Sequence, residues 1–140
     1  MNIVFSANNN EEIKVLPIVP SEVSIAETQN NEEFTTINNG VLNLIGDIGL
    51  RTLSIASFFP VRQYAFMKQG SSSDGWSYVD FFKKWRAKRV PLRLIITSSS
   101  GKEILNIPCT VDNFTYSEAR NGNINYSLEV KEYKFVSLVV

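Results

Sequence analysis

The stretch "CTVDNFTYSEARNGNINYSLEVKEY" constrains this chain more than any other. On both sides of "RNG", Arg120 to Gly122, apolar residues alternate with polar ones. A period of two fits a half-buried strand and not a helix. The turn then decides the pairing. A two-residue Asn-Gly loop would set Leu128 opposite Thr115, an apolar side chain against a polar one. A three-residue loop with Gly122 left-handed sets Phe114 opposite Leu128 and Tyr116 opposite Tyr126. A slip of one residue would send a strand's whole apolar set to the wrong face, so the second register is expected.

The same alternation recurs elsewhere. "NIVFS" and "IKVL" flank the turn "NNNEE" and read as an opening hairpin. Pro17 and Pro20 break the sheet pattern, and "VSIAETQ" is a short strand. "QNNEE" reads as a loop, "FTTI" as another short strand, and Asn39-Gly40 as a turn. Gly46 and Gly49 interrupt an apolar run, the mark of a bulge or a close backbone approach. "LSIASFF", "LRLIITSS" and "EILNIPCTVDNFTYSE" are strands, and the last strand is expected to run through "INYSLEVKEYKFVSL". "KQGSSSDG" reads as a polar, mobile loop.

One segment has the helical period. "SYVDFFKKWRAKR" gathers Tyr78, Val79, Phe81, Phe82 and Trp85 on one broad face. Ser77 is expected to cap it, Asp80 and Lys84 to pair in solvent, and Pro91 to end it. The fold class is therefore α+β and mostly antiparallel, a curled sheet, barrel or sandwich of about seven or eight strands with one helix, about 77–89, on its side. Residues 1–140 are expected to form a single domain, with Val79, Phe82, Trp85, Phe114, Tyr126 and Leu128 in its core.

Composition removes several chemistries. The chain has no histidine, which removes Ser-His triads and the usual zinc sites. Its single cysteine, Cys109, lies in a strand pattern and reads as a small buried apolar residue. "GSSSDG" lacks a general base, and "IGDIG" lacks the lysine and helix of a phosphate loop. Glu129 and Glu132 alternate with lysines on an exposed strand face. No catalytic, cofactor-binding or metal-ligating residue is assigned. The start "MNIVFSANNNEE" is not a secretory signal, and no run is long and apolar enough to span a membrane, so synthesis in a cytosol is expected.

Net charge is zero, but it is unevenly spread. Residues 1–50 carry seven acids and one base, while residues 51–100 carry nine bases and two acids. The basic cluster Lys83, Lys84, Arg86, Lys88, Arg89 and Arg93 could attract nucleic acid, but its aromatic neighbours Phe82 and Trp85 fall on the apolar helix face. A solvated face or a subunit contact fits better. "FFPVRQYAFM" is too apolar for a free loop, so Phe58, Phe59, Arg62, Tyr64 and Phe66 are the candidate subunit interface.

The blocks "LRTLSIASFFPVRQYAF", "YVDFFKKWRAKRVPLRLIIT" and "CTVDNFTYSEARNGNINYSLEVKEYKF", with "LPIVPSEVSI" after the first hairpin, carry a resemblance. In order and spacing the chain is similar to the N-terminal region of LysM-type tail and baseplate hub proteins. These belong to contractile phages, defective prophages and phage-tail-like (R-type) bacteriocins. The resemblance implies a structural, non-enzymatic role without cofactor at the hub end of a tail, linking inner tube, spike and baseplate wedge. It implies a β-barrel or sandwich with a flanking helix, a ring that is commonly sixfold, and a place in the virion or bacteriocin particle after synthesis in the bacterial cytoplasm. The chain stops at Val140 without a LysM region, so peptidoglycan binding is not carried over. The rival readings are a cell-wall or carbohydrate-binding module, and after it a nucleic-acid-binding protein.

Overall fold

The computed structural model describes residues 1–136. The chain opens with β1 (Asn2–Ala7) and β2 (Glu12–Val15), joined where Asn8, Asn9 and Asn10 all take left-handed φ of 49°, 56° and 65°. Asparagine enters that region more readily than other non-glycine residues. There follow β3 (Ile25–Ala26), β4 (Glu32–Thr36), β5 (Gly40–Leu44) and β6 (Thr52–Phe59). Then come the helix α1 (Gly75–Ala87) and the strands β7 (Leu92–Thr97), β8 (Glu103–Glu118) and β9 (Ile124–Glu132).

Seven strands make one antiparallel sheet in the order β2-β1-β7-β8-β9-β6-β3, and β4 and β5 form a separate two-stranded ribbon. The fold is α+β with one helix, as the two periodicities imply. The sheet is open, not a closed barrel: β2 and β3 are its edges, and β3 is only two residues long. The polar run before "FTTI" is not all loop, because β4 begins at Glu32. The last strand stops at Glu132, short of the expected extension, whose final residues 137 and 138 lie outside the described residues.

The register around "RNG" is the apolar-matched one. Phe114 pairs with Leu128, Tyr116 pairs with Tyr126, and Gly122 has φ of 91°. One irregularity lets this long hairpin serve a single core. A bulge between Val111 and Asn113 shifts the ladder, so the core side of β8 is Leu105, Ile107, Cys109 and Val111 before it and Phe114 after it.

The helix begins two residues before the expected start. Asp74 is the N-cap, without a side-chain cap bond, and Ser77 instead donates its hydroxyl to the Asp74 carbonyl at 2.6 Å. Gly75 explains the earlier start. A Cβ there would lie 2.8 Å from the Pro60 carbonyl oxygen, so glycine lets the first turn sit against the end of β6. Tyr78, Val79, Phe81, Phe82 and Trp85 are buried under the helix, and Tyr126, Leu128, Ile124 and Val130 are buried on β9. Phe114 is half-buried against the same cluster. Cys109 is buried there as well, and burial raises its thiol pKa to about 12.

Polar contacts fasten the helix at both ends. The Tyr78 hydroxyl donates to the Val15 carbonyl at 2.6 Å and accepts the Ser72 N–H at 2.9 Å, so the polar loop before the helix is tied to β2. Lys84 does not pair with Asp80. It reaches Glu12 on β2 at 2.8 Å, and the same carboxylate accepts the Trp85 indole N–H at 3.2 Å. Burial opposes the Glu12 charge, but the hydrogen bonds from Lys84 and Trp85 and the charges of Lys84 and Lys14 outweigh it, so its pKa falls below the usual value. A lowered folded pKa stabilises above the unfolded value, and this is lost as pH falls through the folded one. Wild type is therefore expected to exceed Glu12→Gln in urea midpoint near neutral pH, with the gap closing below about pH 4. Midpoints measured across that range check it. A gap unchanged in acid would assign the effect to packing.

Candidate contact surfaces

The corner at "SFFP" uses its two phenylalanines on opposite faces, because neighbouring side chains in a strand alternate. Phe59 turns inward and is fully buried. Its ring stacks on Tyr126 at a centroid distance of 3.9 Å and on Tyr78 at 5.0 Å. The expectation that Phe59 belongs to an interface is therefore corrected: the core holds it, and Pro60 behind it is buried too. Phe58 turns outward, half-buried, with the Tyr64 ring edge-on at 6.4 Å.

The loop after Pro60 is anchored to the β8–β9 turn. Asn123, itself buried, accepts the Val61 N–H at 3.2 Å and donates to the Tyr64 hydroxyl at 3.0 Å. Arg62 donates to the Asn121 carbonyl. Tyr64 stacks with Phe66 at 5.0 Å, and Phe66 is left 63% exposed. Phe58, Arg62, Tyr64 and Phe66 thus form one built patch whose exposed apolar summit is Phe66.

A second surface lies between β3 and β6. From Glu27 to Leu50 no residue is buried. The segment is a ribbon with a narrow neck. Gly49 N–H donates to the Thr28 carbonyl at 2.7 Å, and Asn30 N–H donates to the Asp47 carbonyl at 2.8 Å. A Cβ on Gly46 would lie 1.7 Å from the Asn30 carbonyl oxygen, so only glycine fits, and the apolar run's glycines do mark a close approach. Beyond the neck, Glu32 pairs with Leu44 and Phe34 with Leu42, which puts Phe34, Leu42 and Leu44 on one face. Those three are 56%, 40% and 48% exposed. The apolar residues were there to read, but only the tertiary fold shows that this strand pair never meets the core.

The basic cluster is largely engaged within the chain. Lys84 holds Glu12, Arg86 donates to the Val111 carbonyl at 3.1 Å, Arg93 donates to Asn106, and Lys83 lies over the Tyr116 ring. Phe82 and Trp85 are buried and offer no face to a base. Trp76 and Tyr116 stand nearly perpendicular, at 88°, and make no flat platform for a sugar ring. Among the described residues no group of three or more Cys, Asp or Glu is placed to hold a metal ion, and no helix is long and apolar enough to cross a membrane.

The fold recurs in solved structures. The chain is similar to one in "Virion of native gene transfer agent (GTA) particle", with a TM-score of 0.59 and 12% identity over 99% of this chain and 95% of that one. It is similar to a chain in the tail of an empty GTA particle, with a TM-score of 0.57 and 16% identity over 99% and 96%. A chain of the anti-feeding prophage (AFP) baseplate matches with a TM-score of 0.50 and 10% identity over 95% and 88%. The fold is one that tail-particle chains carry. In sequence, the chain is 26% identical over 124 residues to a Bacillus subtilis (strain 168) protein described as "Uncharacterized protein YqbP", covering 87% of this chain and 55% of that protein. It thus spans about half the length of that relative. No family model matches.

The two phenylalanines of the corner predict opposite outcomes. Phe59→Ala is expected to cost about 3–5 kcal/mol, as large aromatic truncations in cores do, and Phe66→Ala to stay within about 0.5 kcal/mol. Denaturant midpoints of the two variants test this. The Tyr126 hydroxyl is buried with no hydrogen-bond partner among the described residues. Tyr126→Phe keeps the stack and removes that burden, and is expected to raise stability by about 1 kcal/mol. A fall in its midpoint would contradict this environment.

Proposed function

We propose that this chain is a structural subunit of a contractile phage tail or a phage-tail-like bacteriocin particle. It sits at the baseplate hub or inner-tube end and joins tube, spike and surrounding baseplate through protein–protein contacts. The observation that carries the reading is the fold: the similar solved chains come from GTA virion and tail particles and from the AFP baseplate, and the likeness runs over nearly the whole chain. The resemblance to LysM-type hub proteins supports the finer position. Its "SFFP" block is the end of β6, its "KKW" block the helix turn where exposed Lys83 and Lys84 precede buried Trp85, and its "SLEVKEY" block most of β9.

The surfaces support contact over chemistry. Exposed apolar side chains stand on a protruding ribbon and on an anchored loop, which is where an assembling protein carries its partners' footprints. The chain acts without cofactor or catalysis, and its neighbours include further copies of itself. One GTA tail is described with C6 symmetry, and a sixfold ring is the arrangement proposed here. The protein is made in the bacterial cytoplasm and resides in the particle.

The test is deletion of the coding gene in the bacterium or prophage that carries it, followed by negative-stain imaging and mass spectrometry of purified particles. The expected result is the protein in intact wild-type particles, and tails missing or lacking a baseplate in the deletion, restored by complementation. Complete contractile particles formed without the protein would refute the proposal.

A further inference from the structure

We propose that the ribbon 27–50 is a docking arm for a second copy of this chain, received in the groove between the helix C-terminus and β8. The arm has no core of its own. A two-stranded ribbon alone is marginal in water and needs something to pack against. At roughly 3.3 Å per residue, β4 from Glu32 to Thr36 spans about 16 Å. Along it the ribbon presents the apolar face of Phe34, Leu42 and Leu44, with Ile37 at the tip fully exposed.

The groove complements the arm in charge and offers apolar walls to its apolar face. It encloses about 540 Å³, with Val90, Leu92, Val111 and Tyr133 among its apolar walls and Arg86 and Arg89 at its rim. No acid lines it. Conversely, no lysine or arginine occurs between Lys14 and Arg51, while Glu32, Glu33 and Asp47 lie on the arm. Glu32 shares the apolar face with Phe34, as its pairing with Leu44 requires. Phe34 seated in the groove would thus bring Glu32 toward the Arg89 guanidinium. Arg89 forms no ion pair among the described residues, and its left-handed φ of 57° marks the point where the chain leaves the helix. An apolar anchor with complementary charges at its edge is the pattern of a specific interface.

Arm and groove are different surfaces, and the arm leaves the sheet at the β3–β6 edge while the groove lies by β7 and β8. Such a contact is heterologous: each copy gives its arm to one neighbour and receives one from another. Repetition closes a ring or extends a filament. The inference deepens the assembly reading by naming the partner and the two faces.

Sedimentation equilibrium of the purified full chain tests it without any particle. Wild type is expected to self-associate. Phe34→Ser and Arg89→Glu are each expected to weaken association at least about tenfold, and Glu32→Arg likewise. The double variant Glu32→Arg/Arg89→Glu is expected to recover most of it, because the charges then face each other in reverse. These positions are exposed, so circular dichroism and melting should match wild type in every variant. A wild type that stays monomeric at the highest concentration would overturn the proposal. So would association that Phe34→Ser leaves unchanged, or a double variant as weak as the singles. Any of these outcomes leaves the assembly reading to the particle experiment, where other surfaces could still join the copies.

Discussion

The stack of Phe59 on Tyr126 is the joint on which the rest of the molecule depends. The two rings lie within 7° of parallel, and Phe59 also faces Tyr78 and Phe82 of the helix. Strand β6, strand β9 and helix α1 therefore meet at one side chain. Once that ring is in place, Pro60 can end the strand, Gly75 can bring the helix start against the corner, and Asn123 can fix the loop beyond. The flanking loop is built outward from a core residue, and this is why an apolar loop can be held at the surface without collapsing into the interior.

Much of this was legible because it obeys simple periods. The pairing of β8 with β9 followed from matching apolar faces, and the helix from five large apolar residues at helical spacing. What remained hidden depends on neighbours distant in sequence. Glu12 looked like a turn residue, yet it receives both Lys84 and Trp85 from the helix. Phe58 and Phe59 looked alike, and only the parity of β6 relative to the core separated them. The start of the helix moved because a glycine had to fit beneath a carbonyl, a requirement with no local trace.

The ribbon shows the opposite limit. Its strands carry apolar residues, Phe34, Val41, Leu42 and Leu44, as the sheet strands do, so composition alone does not set them apart. Apolar residues on a strand record that it has an apolar face and say nothing of what covers it. An apolar face that waits for a partner and one that packs on its own core carry the same sequence pattern.

The bulge in β8 has a consequence for how this fold can change over time. On its N-terminal side, inward positions are odd-numbered through Val111, and beyond it they are even-numbered from Phe114. The strand is in effect written in two reading frames joined at Asp112. Loss of that one residue would restore a regular ladder and keep Val111, paired with Val130, and Phe114, paired with Leu128, on the same core face. Loss or gain of a single residue elsewhere in β8 would instead turn one half of the strand inside out. Homologous chains are therefore expected to differ freely in the residue at the bulge, and to tolerate a change of length in β8 only there.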